Sequence, residues 1–262
     1  MTLGIVSGGR PDLSLVVLAD SQGTLLHGTV TAAERTIGQA RERGWSVEAL
    51  IVRQTGDRMT DRWIETRLDP TWRVVEGATD GDGGRMAAVA ASGGRLIGIL
   101  PGGDLCSANW LPTVLEATSS VSGAFVWRPE AVVSFGPDYM GGVGYGFDLQ
   151  PDIDLARHAP GGEIDRLLAR HPYSSLLVAP RTVFEAAPFP SADPARGWND
   201  VNWWWTCNTL AAGFAHRIVP ATFHYQRADV LGQPLSLPLS PEKRRIGPSP
   251  LWRVPPETAP AG

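Results

Sequence analysis

The sequence predicts an α/β fold, a mostly parallel central sheet flanked by helices in a single domain, and two observations predict it. Leu13 to Ala19, Val47 to Val52 and Leu96 to Leu100 are short apolar runs, mostly of β-branched residues and leucine, the pattern of strands buried on both faces. Stretches with apolar residues at three- and four-residue spacing lie between them, and such alternation is the signature of βαβ units. With 43% hydrophobic and 19% charged residues, a chain of 262 residues can bury one sizeable core.

Taken in order, residues 1–12 are polar and Gly-rich, and strand Leu13–Ala19 follows. Val30, Ala33, Ile37 and Ala40 mark a helix over about 28–43, stopped by Gly44. Val47–Val52 is the second strand, Asp61 to Ile64 a short helix and Trp72 to Val75 a third strand. Gly77 to Gly84 forms turns, Arg85 to Ala91 is helical, and Leu96–Leu100 is a strand broken by Pro101-Gly102-Gly103. Beyond it we expect a helix over Asn109–Thr118, strands or a hairpin within Ala124–Val133, and a long loop region over 134–162, dense in Gly, Pro and Asp. Tyr173–Val178 and His216–Tyr225 read as strands, and Asn199–Ala212 as a helix with Val201, Trp204, Trp205 and Ala212 on its apolar face. Residues 1–230 then form one domain, with 13–104 and 105–230 as its halves and 231–262 as a Pro-rich tail.

A net charge of -4, with signs interspersed, speaks against nucleic acid as the partner. No apolar run approaches the roughly 18 residues of a membrane span, so no integral membrane segment is expected. Cys106 and Cys207 have no partner at zinc-ligand spacing and read as buried small hydrophobes. A cytoplasmic setting follows, with peripheral membrane attachment left open. Ligands of such sheets collect at the carboxyl ends of the strands, which directs attention to Ala19, Asp20 and Ser21, to Arg53 and Gln54, and to the turn carrying Gly103 and Asp104.

From Gly84 to Leu111 the order is Gly-Arg, a small apolar helix, Gly-Gly-Arg, an apolar strand, a tight turn with Asp, and Ala-Asn-Trp-Leu. Later come Ser-Ser-Leu-Leu-Val-Ala-Pro-Arg, Gly-Trp-Asn-Asp-Val-Asn-Trp-Trp and Ile-Val-Pro-Ala-Thr-Phe-His-Tyr-Gln-Arg. This series resembles the family 2 glycosyltransferases over about two-thirds of the chain, and the resemblance implies a GT-A type, Rossmann-like fold. Arg85 falls on the family's arginine, Gly94 on its turn glycine, and Leu100 to Asp104 on its Leu-Asp-x-Asp-Asp motif. The chain departs from that pattern at Pro101 and Gly103, where the family has acids, and at Arg53-Gln54-Thr55-Gly56, where the family has Asp-Asp-Gly-Ser.

The activity so implied moves a sugar from a nucleotide diphosphate-sugar to an acceptor hydroxyl with inversion, the acceptor being a glycan, a lipid-linked molecule or a small molecule. Such transfer needs a base for the hydroxyl and positive charge for the departing diphosphate. The resemblance assigns the base to Asp200; the residue types alone equally allow Asn199 and Asp200 to cap a helix. It assigns Asp104 and His224 to a Mn²⁺ or Mg²⁺ ion, although Asp104 could also cap the helix that follows it. Arg85 suits bidentate phosphate contact, and Arg53 and Gln54 stand where the nucleotide is expected, with solvated surface roles as the alternative. Trp198, Asn199 and Trp203 lie beside Asp200, where an aromatic face can stack on a sugar ring, whereas Trp204 and Trp205 fit the core. The competing reading is a catalytically degenerate GT-A domain that binds a glycan or a partner, suggested by the missing acids at 101 and 103. A nucleotidyltransferase is disfavoured because Asp20-Ser21-Gln22-Gly23 lacks a basic residue.

Overall fold

The computed structural model describes residues 9–54, 57–77, 84–136, 146–155, 171–227 and 245–253. Its first half runs β1 (Leu13–Ala19), α1 (Leu26–Glu42), β2 (Val47–Arg53), α2 (Arg58–Arg67), β3 (Arg73–Glu76), α3 (Arg85–Ala91), β4 (Leu96–Pro101). The second half adds β5 (Leu105–Cys106), α4 (Trp110–Ser119), β6 (Val126–Phe135), β7 (Gly146–Leu149), β8 (Leu177–Pro180), α5 (Arg181–Ala186), α6 (Val201–Ala211) and β9 (His216–Arg227).

Among the described residues one sheet forms, in the order β3-β2-β1-β4-β8-β6-β9-β5, with β7 beside β6. β1 to β4 are mutually parallel, β8 runs against β4 and β6, and β6 and β9 are parallel again. All seven residues of β1 are buried because helices cover both faces. Leu13, Leu15, Val17 and Ala19 pack with α1 and α4, and Val16 and Leu18 pack with α3, α5 and α6, as strand alternation requires. This is the mixed α/β arrangement that the apolar runs predict.

The second half departs from expectation in detail. Residues 126–135 form one long strand, not a hairpin of their own. Within the region expected to be loop, Gly146–Leu149 pairs antiparallel with Ala131–Ser134, and Ile153 bridges His216. The strand expected over Tyr173–Val178 begins only at Leu177. α6 has no single apolar face: Trp205 is fully buried, Ala212 is exposed, and Trp204 turns toward residues 247–248, with its Nε1 donating to Pro248 O at 2.9 Å. Two packing surfaces, the sheet on one side and residues 245–253 on the other, account for this. The remainder of the expected tail and loop lies outside the described residues. No described helix is long and apolar enough to cross a membrane.

Candidate functional site

At the carboxyl end of β4 the chain turns through Gly102 and Gly103. A Cβ on Gly102 would sit 2.6 Å from both Leu18 O and Gln22 Oε1, so no larger residue fits. Gly103 takes φ +87°, and its N–H donates to the buried hydroxyl of Thr29 at 2.9 Å. β1 and α1 thereby fix where the next residue, Asp104, stands.

Asp104 and His224 meet there. Both are fully buried, and Asp104 Oδ2 lies 3.2 Å from His224 Nε2. β5 pairs Cys106 with His224, which brings the last strand to the end of the fourth. Asp104 Oδ1 accepts from the backbone N–H of Arg227 at 2.9 Å, so Asp104 fastens β9 and does not cap α4. The two facing atoms approach off the line of a hydrogen bond, and among the described residues neither has another partner. Leaving a buried carboxylate oxygen and imidazole nitrogen unbonded costs about 1–3 kcal/mol each. A carboxylate oxygen and an imidazole nitrogen side by side are donor types that a divalent cation takes, so the residues present fit one. Among the described residues no group of three or more acidic, His or Cys side chains is placed to hold a metal ion, so phosphate or water oxygens would complete its shell.

Asp200 is the N-cap of α6, 3% exposed, with Oδ1 accepting from Trp203 N at 2.9 Å. The N–H groups of Asn199 and Asp200 both donate to Arg245 O at 3.0 Å, and Arg245 N donates to Asn199 Oδ1 at 2.8 Å. Asn202, in the first turn of α6 and not singled out by sequence reasoning, accepts from Arg85 Nε at 3.2 Å and donates to Ser175 Oγ at 3.1 Å. Because β8 pairs Leu177 with Ile99, Ser175 lies at the carboxyl edge of β4. Through Asn202, the first turn of α6 therefore reaches the carboxyl end of β4.

The other predicted residues are distributed less simply. Ala19 is buried and its carbonyl accepts from Gln54 N at 2.7 Å, whereas Asp20 and Ser21 are exposed at the strand end. Arg53 is taken up by carboxylates: Glu76 at 2.5 Å, Glu65 at 3.5 Å and Asp61 at 3.9 Å. The hydrogen bond it donates to Glu76 above all raises its pKa. Trp198 packs edge-on against Trp204 beneath the Arg196 guanidinium, and Trp203 stacks on His171, so both rings are half-buried against protein.

Beneath α6 lies a polar core that sequence reasoning missed. Arg128 is fully buried without a carboxylate partner among the described residues. It donates to Ser174 O at 2.7 Å, Thr206 Oγ1 at 3.3 Å and, at the long distance of 3.4 Å, His216 Nδ1, and it lies over the rings of Tyr173 and Trp205. Burial pulls its pKa down to about 9. His216 is held well below its ordinary 6.5 by burial, then by the Arg128 cation, then by His171. The unfolded chain protonates this histidine near pH 6.5 and the folded chain does not. Its contribution to stability is therefore full above about pH 6.5 and is lost as pH falls below that value, with a slope up to ~1.4 kcal/mol per pH unit. Urea unfolding at pH 7 and pH 5.5 should record this loss, and His216→Gln should flatten it. The thiols of Cys106 and Cys207, both pushed up to about 12 by burial, are inert by comparison.

No protein-family model and no curated protein matches the chain. Solved structures do. S. aureus TarS 1–349 in complex with UDP superposes with a TM-score of 0.56 at 13% identity, over 82% of this chain and 60% of that one. The same protein in complex with UDP-GlcNAc gives 0.57 at 13%, over 82% and 58%. A longer TarS structure gives 0.56 at 11%, over 82% and 36%, so the chain spans between about a third and three-fifths of the chains it matches. At such identities the likeness is one of fold: a single mixed α/β domain with a mostly parallel sheet flanked by helices.

Proposed function

We propose that this chain is a glycosyltransferase that moves a sugar, with inversion, from a nucleotide diphosphate-sugar to an acceptor hydroxyl. The observation that carries the proposal is the buried pair of Asp104 and His224, facing each other at 3.2 Å at the end of β4 without an aligned hydrogen bond. The fold shared with a protein crystallised with UDP and UDP-GlcNAc supports it.

In this reading Asp104 and His224 hold Mn²⁺ or Mg²⁺, which when bound neutralises charge on the diphosphate. The edge formed by Ala19, Asp20, Ser21 and Gln54 receives the nucleoside. Arg85, tied to Asn202, keeps the start of α6 in register with the donor side. Asp200 accepts the proton of the acceptor hydroxyl as that oxygen bonds to the anomeric carbon, and Trp198, Asn199 and Trp203 border the acceptor. Pro101 and Gly103 in place of acids favour a second reading, a domain that binds a glycan or a partner without turnover.

Calorimetric titration of UDP with Mn²⁺ and with chelator separates the two. With so few acidic ligands, the protein alone should bind Mn²⁺ poorly. UDP and Mn²⁺ should each tighten the other's binding by the same factor, as linkage demands. Equal UDP affinities with and without metal would remove Asp104 and His224 as ligands, and absence of UDP binding would favour the binding module.

A further inference from the structure

We infer that Arg227, at the end of β9, is the fixed cation that receives the donor's diphosphate and neutralises it as it leaves; this rests on the donor reading above. Four observations carry the inference. The backbone N–H of Arg227 donates to Asp104 Oδ1 at 2.9 Å, and its side-chain Nε donates to Gly103 O at 3.2 Å. Among the described residues the guanidinium is therefore anchored by one edge alone, to the turn that ends β4. Its carbon lies over the Phe135 ring at 4.8 Å, a contact that orients the plane without neutralising it. No carboxylate among the described residues pairs with it, and the side chain is half-buried.

The other arginines at this edge are engaged differently. Arg53 is surrounded by Glu76, Glu65 and Asp61, and Arg85 is held through Nε by Asn202 and lies over Phe189. Arg227 alone of these three is fastened to the Gly103–Asp104 turn. A guanidinium with its outer fork open matches two phosphate oxygens. The need for it follows from the sequence: with Pro101 and Gly103 where acids would stand, less cation charge is held by the protein, and more of the neutralisation falls to a fixed group.

In the transfer step the bond between the anomeric carbon and the phosphate oxygen breaks, and its electron pair departs with the nucleotide diphosphate. The acceptor oxygen forms the new bond, and its proton passes to Asp200. Arg227 opposes the negative charge that appears on the departing phosphate.

The test is calorimetric binding of UDP and of UMP, in chelator and in Mn²⁺, to the wild-type protein, Arg227→Gln and Arg227→Lys. Arg227→Gln should weaken UDP by about ten- to hundredfold in both media and UMP by less than about threefold, and Arg227→Lys should keep most of the UDP affinity. UDP affinity equal in the wild type and Arg227→Gln overturns the inference. So does a Lys variant as poor as Gln with UMP weakened equally, because that pattern marks a merely structural arginine. No UDP binding to the wild-type protein overturns the donor reading itself, and this inference with it.

Discussion

Asp200→Asn is expected to lower kcat by about 10²–10⁴-fold while leaving KM for the donor and the melting temperature nearly unchanged. The magnitude is that of a lost general base. The selectivity follows from the cap geometry: the carboxylate accepts from Trp203 N at 2.9 Å, and Asn caps a helix as well as Asp does. The substitution removes the proton acceptor and keeps the hydrogen-bond acceptor. A base removed acts on the transition state and not on ground-state binding, so the loss belongs in kcat. Steady-state release of nucleotide diphosphate, measured beside a thermal melt, decides the matter. Unchanged turnover would reduce Asp200 to its structural role.

Asp104→Asn should abolish the coupling between UDP and Mn²⁺ and reduce turnover by about 10²–10³-fold. Here too the isosteric change is informative. An amide oxygen can still accept from Arg227 N, so β9 stays attached, whereas Asp104→Ala would leave that N–H without its acceptor and cost about 1–3 kcal/mol besides. UDP titrations of Asp104→Asn with metal and with chelator should coincide. A variant that still shows tighter UDP binding in Mn²⁺ would place the cation elsewhere.

The sheet was legible because its central strands are buried on both faces and leave continuous apolar runs; β1, β2 and β4 fall within a residue of where those runs lie. Where strands lie at the margin or pair by long connections, that signal fails. β7 carries Phe147 and Leu149 exposed, so Gly146–Leu149 looked like loop. β9 shifts register against β6 between Pro129 and Ala131, opposite Ala221 at φ +57°, a bulge with no Gly or Asn to announce it. Of the site, the encounter of Asp104 with His224 could be expected only through the family resemblance, since nothing local links positions 120 residues apart. Arg227 and Asn202 lie within the stretches that carry the resemblance but drew no role from it, and Arg128 gave no signal: it is buried only because a carbonyl, a hydroxyl, an imidazole and two aromatic faces converge on it.

Residues 245–248 have a consequence for the order in which the protein can assemble. Arg245 O takes the N–H groups of Asn199 and Asp200, and Gly247 crosses α6 so closely that any Cβ there would meet the Trp204 ring at 2.3 Å. A glycine is the one residue able to pass, so a slip of one position would drive Ile246 or Pro248 into the indole, and the crossing has a single register. The loop presenting Asp200 thus takes the one backbone acceptor shared by two of its N–H groups from chain synthesised some 46 residues later. During vectorial synthesis β1 to β4 can pair, and the Gly102–Gly103 turn can settle between β1 and α1, while the start of α6 still lacks that acceptor. The proposed cation end must also wait, since His224 and Arg227 emerge only with β9. Both ends of the proposed site are thus completed late, on a sheet already formed, so a half-made chain would not present it whole.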